Sequence, residues 1–437
     1  MGDTFLDWLI LGLLIAEVVF LSRLDRRRFG TWVTPFTVLG YPYAAVAVLA
    51  YFFAPIFDFV PLYIGSVVVW IVGLFIVWAA GAFLGWGLLD MRLAPTGQTS
   101  HFQIEPSSPN DHDDAILRVA VGLAWAAMPV MLYGVIASAR AAGGWAEIGS
   151  TDFRDAYGEG LPAHAVVLAM LLGIVLIGLY RRGDKRMLAT IAMLLVFLTL
   201  GRVKGTILQV IFGGILLRAL RGRFQLRFKH VAPLLLSTYV VFNVVYLIGM
   251  SIVSWDDPLN LNIYTHLGRH YLYYLFAGVL GFSEAMRTGI TDVGGDWHTI
   301  LAPFLNLYHV AFGGSLVTVG GTHEKGMLTD LLTGESVESN VYTIFGTLHI
   351  DLGAIGAGLY VFIVGLLCYG FLVMAKRKNN VWLTASYCLI ASQLAFGFFE
   401  FYFWHLTTYE VIAWGAILAL AGQAKWHPWV RGHPAAP

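Results

Sequence analysis

A succession of apolar stretches, many of them about 18 residues or longer, constrains this chain more than any other feature, because that is the length a helix needs to cross a bilayer. Gly and Trp interrupt the stretches, and the alternation of a membrane barrel, in segments of about ten residues, is missing. Backbone groups in lipid must then be satisfied within each segment, as helix. With 58% hydrophobic and 12% charged residues and a mean hydropathy of +0.71, the 437-residue chain is predicted to be an all-α, polytopic integral membrane protein.

Eleven crossings are predicted, near 5–22, 32–53, 62–89, 115–139, 163–180, 187–201, 205–217, 231–253, 353–375, 381–399 and 409–423. In the opening segment, MGDTFLDWLILGLLIAEVVFLSRLDRRR, the basic residues follow the apolar run, which predicts a retained first helix with its N-terminus outside. On that orientation 20 of the 27 basic residues fall on inside segments. Arg140, Arg154, Arg202, Lys204, Arg269, Arg287 and Lys325 remain outside. The 27 basic side chains balance 27 acidic ones, so there is no net field for nucleic acid. Cys368 and Cys388 sit inside apolar runs and point to neither a disulfide framework nor a thiolate metal site.

Parity decides how FLTLGRVKGTILQV (197–210) folds. The basic clusters at 181–186 and 218–229 belong to the same side, so the apolar run from Met187 to Leu217 must cross an even number of times. At about 1.5 Å per residue it is roughly 46 Å long, too long for one span and too short for two full ones. Two short helices meeting at Gly201 to Gly205 satisfy both constraints and put Arg202 and Lys204 at the tip, where a wet or protein-lined cavity must host them; one long tilted helix with misplaced flanks is the competing reading.

The chain thus divides into residues 1–253, with eight helices including the hairpin 187–217; an outside loop, 254–352; and three further helices with an inside tail, 353–437. Polar chemistry collects in the loop. YTHLGRHYLYYLFAGVL (264–280) places His266, Arg269, His270 and Tyr273 on one face of a helix. Beyond it come Glu284 and Arg287, Asp296 and His298, His309, His323 with Glu324 and Lys325, and then Glu338, Asn340, Tyr342, His349 and Asp351. EFYFWHLTTYE adds a smaller outside group, Glu400, His405 and Glu410.

Singly, these residues have plainer readings: interfacial anchors for His and Tyr, a helix cap for Asp296, an exposed ion pair for Glu284 and Arg287. Together, cations, acids and histidines over a hydrophobic base are what a lipid-linked anionic head group requires, since Arg reads phosphate oxygens bidentately. His323-Glu324 lacks the second His of HExxH, so no metal is expected. Asp111-His112-Asp113-Asp114 resembles a DxD motif, but no soluble nucleotide-binding domain surrounds it, and acids opening the next helix explain it. GAIGAG (353–358) suits close helix packing.

The Gly-Arg turn between two short helices, the large outside loop and the block SNVYTIFGTLHIDLGAIGAGLYVFIVG (339–365) together resemble the oligosaccharide repeat-unit polymerases of the Wzy type, with weaker echoes at FSEAM and GGDWHTILAPF. That resemblance implies a GT-C-like, metal-independent glycosyltransferase in a bacterial inner membrane, with its active site facing the periplasm. It would transfer a growing glycan from undecaprenyl diphosphate onto a new lipid-linked repeat unit, with a chain-length regulator protein as partner. Arg202 is carried over as the first residue on the departing diphosphate, assisted by Lys204, Arg269 and Arg287. Glu284, His270, His298 and His323 are candidates for general base, with Glu284, pictured at the head of a helix over the basic turn and oriented by Arg287, preferred; early departure of the diphosphate would make a base dispensable. Tyr273, Asp296, Asn340 and Tyr342 are candidates for glycan contacts. An O-antigen ligase shares this architecture, and a lipid-linked oligosaccharide flippase is the alternative from another class, although no internal repeat is evident.

Overall fold

The computed structural model describes residues 4–89, 111–148, 150–200, 204–224, 236, 238–240, 243, 261–289, 297–317, 327–329, 336–338 and 341–423. Six helices are long and apolar enough to cross a membrane, Phe5–Phe29, Pro35–Phe53, Ile64–Leu88, Asp113–Ala141, Gly160–Leu179 and Ile344–Lys378, and three shorter apolar helices accompany them. This is the architecture of a polytopic membrane protein. In chain order the helices are α1 (Thr4–Phe29), α2 (Pro35–Phe53), α3 (Ile64–Ala82), α4 (Asp111–Ala141), α5 (Thr151–Tyr157), α6 (Gly160–Leu179), α7 (Lys185–Leu200), α8 (Lys204–Leu220), α9 (Leu261–Arg287), α10 (Trp297–Ile300), α11 (Ala302–Phe312), α12 (Ile344–Lys378), α13 (Val381–Ala395) and α14 (Leu406–Gln423). A short antiparallel pair, Met327–Thr329 with Ser336–Glu338, lies between α11 and α12.

Local chemistry sets several boundaries. Thr34 caps α2 by accepting from the Thr37 amide, and Pro35 fills the first helical position, where no donor is needed. Asn379 ends α12 in the left-handed region at φ 43°, and the Asn380 side chain accepts from Trp382 and Leu383 to start α13. α3 continues as a π-helical segment, Phe83–Leu88.

Small residues let the helices approach. A Cβ on Gly178 would sit 2.4 Å from Leu217, one on Gly173 2.7 Å from Val210, and one on Gly214 2.4 Å from Ile177. These contacts ascend together along both chains, so α6 and α8 are parallel neighbours and α7 runs back between their ends. The predicted hairpin is therefore present as two helices, the first ending at Leu200 and the second starting at Lys204.

One end of the bundle, the basic end, is tied across helices. Asp113 at the start of α4 pairs with Arg221 at 3.1 Å and with Arg223, and Asp114 pairs with Arg181 at 2.6 Å. Arg218 donates to the Tyr180 carbonyl at 2.9 Å, Lys376 to the Phe29 carbonyl at 2.5 Å, and the Tyr369 hydroxyl to Asp25. The acids opening α4 are thus partners of arginines.

α12 departs from the expected span 353–375. It begins at Ile344 and carries a reversal at Gly353, whose φ of 66° and ψ of 174° suit only glycine. The first leg folds back on the second, so that Phe345 and Leu348 share a small cavity with Tyr360 and Val364. Residues 344–352, read from the sequence as the end of the outside loop, are the first leg of this helix. α9 likewise leaves the expected loop: Phe276, Leu280 and Phe282 are buried in the bundle, and the Ser283 hydroxyl accepts from the Tyr63 amide at the start of α3. Most of the predicted span 231–253 lies outside the described residues.

Candidate functional site

At the far end, α13 stops at Ala395 and α14 starts at Leu406, and the chain between them is irregular apart from a short turn, Tyr402–Trp404. Irregular backbone among apolar helices must find partners within the protein. Here the Gly397 carbonyl accepts from the Tyr43 hydroxyl at 2.9 Å and from the Ile344 amide at 2.7 Å. Thr343 caps the first leg of α12 by accepting from the Gly346 amide at 3.0 Å. α9 presses on the same segment: a Cβ on Gly278 would lie 2.3 Å from the Phe399 carbonyl oxygen, and Tyr274 stacks on Phe399 at 5.8 Å.

The first turn of α8 meets this segment from another side. A Cβ on Gly205 would stand 3.4 Å from the Tyr402 hydroxyl and 3.9 Å from the Gln209 side-chain nitrogen. Gln209 and Tyr402 are both buried. The tip that carries Lys204 therefore abuts the broken segment.

Two His–Glu pairs stand at this end among the described residues. His405 Nε2 lies 3.1 Å from Glu400 Oε1, with side chains 45% and 21% exposed, so the imidazole is open at the protein surface. The Trp404 indole N–H lies 3.1 Å from the same nitrogen. Across the bundle, Glu410 Oε1 meets His164 Nδ1 at 2.9 Å and accepts from the Trp414 indole at 3.0 Å.

The predicted residues divide into three groups. Arg202, Asp296, His323 and Asn340 lie outside the described residues, as does the Lys204 side chain, although Lys204 opens α8. Arg269, His270 and Tyr273 are half-buried along α9. The His270 ring lies parallel to Tyr273 at 5.9 Å and edge-on to Tyr274 at 5.0 Å, and Tyr274 leads on to Phe399, the neighbour of Glu400. His298 stacks on Trp297 at 3.8 Å, in the short α10, which packs near the Tyr402–Trp404 turn.

Glu284 sits elsewhere. It lies in the last turn of α9, not at the head of a helix as expected, and 14 residues from His270, about 21 Å at ~1.5 Å per residue. A carboxylate there opposes the helix dipole, and Arg287 compensates for it. Arg287 Nε donates to Oε2 at 2.8 Å and Nη2 to Oε1 at 2.5 Å. Tyr342 is covered by protein at 3% exposure, and burial pushes its phenol up to about 12. That burial withdraws it from glycan contact.

The Glu400–His405 contact and the approach of Tyr402 to Gly205 were not foreseen. EFYFWHLTTYE stood out as a polar group, but the pairing depends on irregular backbone that no periodicity marks.

Residues 58–427 match the family described as "Family of unknown function (DUF6337)". The match begins after α2 and contains α8, α9 and the broken segment. No curated protein and no solved structure matches the chain.

Proposed function

The chain belongs to this family of unknown function, and within it we propose a membrane glycosyltransferase of the polysaccharide-polymerase type. On this reading it crosses a bacterial inner membrane about eleven times in a GT-C-like arrangement, with the region after 253 facing the periplasm. The growing glycan passes from undecaprenyl diphosphate to a new lipid-linked repeat unit.

The observation that carries this reading is the junction of α8 with the broken segment 396–405. α8 begins at Lys204, two residues after Arg202, and its first turn meets Tyr402. A helix N-terminus offers unpaired amides and the positive end of a dipole, and two cations in its approach extend that field toward an anion. Negative charge grows on the departing diphosphate, and fixed cations in a water-poor site stabilise it most. Arg269 on α9 is a further phosphate partner, and so is Arg287 through the part of its guanidinium that Glu284 leaves exposed. Tyr273 borders the glycan path, with Asp296 and Asn340 assigned to it by the resemblance.

Replacing Arg202 with Ala tests the reading in a complementation strain. Loss of one preorganised contact of this kind costs roughly 100- to 1,000-fold in turnover. Long polymer should therefore disappear while protein level and single repeat units persist; normal polymer would overturn the assignment. Deleting the gene separates the ligase alternative, since a missing polymerase leaves single repeats on the lipid A core and a missing ligase leaves none.

A further inference from the structure

We infer that His405 and Glu400 form the proton-handling pair of this site, with His405 as the base that receives the acceptor hydroxyl's proton and Glu400 as its positioning residue. The inference rests on the glycosyltransferase reading and supplies the base which the sequence left open.

Three observations converge. First, Glu284 is poorly placed for the task, because Arg287 occupies both of its oxygens and its side chain is 10% exposed. A carboxylate bound on both oxygens to a guanidinium gives up the hydrogen-bond capacity that proton abstraction needs. Second, His405 is accessible, at 45% exposure, and a carboxylate holds one of its ring nitrogens at 3.1 Å. When Nε2–H donates to Glu400, Nδ1 carries the lone pair and is the nitrogen left to act as base; this is the carboxylate-oriented imidazole arrangement of nucleophilic and acid–base sites. Third, the pair stands beside the α8 tip. Tyr402, whose ring lies 6.2 Å from that of His405, is the residue whose hydroxyl stands against Gly205.

Trp404 adds a detail. Indole N–H can only donate, so its 3.1 Å contact with Nε2 requires that nitrogen bare, whereas the Glu400 contact requires it protonated. The two contacts belong to the two neutral tautomers: Nε2–H on Glu400 leaves Nδ1 bare to act as base, whereas a bare Nε2 under Trp404 puts the proton on Nδ1 and holds the ring inactive.

The step balances as follows. The acceptor hydroxyl passes its proton to His405 Nδ1 while its oxygen forms a bond to the anomeric carbon. The bond from that carbon to the diphosphate oxygen breaks, and its electron pair leaves with the lipid diphosphate. His405 then releases the proton to solvent through its exposed face.

The test uses the full chain in liposomes with undecaprenyl-diphosphate-linked repeat units. H405A should lose about 100-fold or more in kcat with KM little changed, as befits a general base, and added imidazole should restore part of that rate. E400Q should lose less, and W404F least. H405A turning over like the parent chain, or losing activity without any response to imidazole, would overturn the base assignment. No polymer from the parent chain would instead remove the glycosyltransferase reading, and the role of His405 with it.

Discussion

Glu284 and Arg287 lie one turn apart at the C-terminal end of α9 and meet through two hydrogen bonds, at 2.5 and 2.8 Å. Glu284 is 8% exposed, so removing its partner strands a carboxylate in protein. R287A should therefore lower the melting temperature in detergent more than the double variant E284Q/R287A, which strands no charge. A double variant less stable than R287A would show that the pair does not hold the end of α9. In the polymerisation assay E284Q should retain turnover.

Asp113 accepts from both Arg221 and Arg223 at the basic end, and the side chains of Asp113 and Arg221 are 3% and 5% exposed. Breaking a buried pair by removing one member costs about 3–5 kcal/mol. D113A should lose stability on that scale. D113L/R221M/R223M, which removes all three charges and keeps apolar volume, should recover most of it. Thermal unfolding of the three proteins decides, and equal melting of D113A and the parent chain would contradict the network.

Tyr157, the last residue of α5, is buried, and its hydroxyl has no hydrogen-bond partner among the described residues. Burial pushes its phenol up to about 12 from an ordinary value near 10. Below that ordinary value both states hold the proton and the contribution to stability is complete. Between about 10 and about 12 the unfolded chain gives up the proton first, so stability falls as pH rises. Y157F should match the parent chain at pH 7 and show a shallower decline of melting temperature above pH 10.

Much of the bundle was legible because apolar length and basic flanks are properties of side chains in sequence. α1, α2, α4 and α6 fall where the runs predicted, and the break between α7 and α8 follows from the parity of their basic flanks. The reversal at Gly353 was not legible. GAIGAG reads as a packing surface, and nothing in hydropathy reports that one of its glycines takes φ 66°. The break between α13 and α14, expected after residue 399, opens earlier, at Phe396, and the partners of its Gly397 carbonyl, Tyr43 and Ile344, come from distant parts of the chain. The candidate cations were found by charge, but the pairing of Glu400 with His405 arises from backbone without a period.

Gly353 offers a test of that reversal. A Cβ there would meet nothing within 4 Å, so any cost of substitution is backbone strain. G353A should destabilise by about 1–3 kcal/mol. G370A, also with open space but inside regular helix, should be neutral or gain up to about 1 kcal/mol. Equal behaviour of the two variants in thermal melts would argue against a reversal at 353.

The ties at the basic end make the molecule resemble a clothes-peg. Asp113, Asp114, Asp25 and Lys376 join α1, α4, α8, α12 and the chain after α6 near one end, like the spring. The opposite ends, where His164 meets Glu410 and His405 meets Glu400 in partial contact with solvent, are the jaws. Separating the half-exposed pairs of the jaws costs less than separating the buried pairs of the spring.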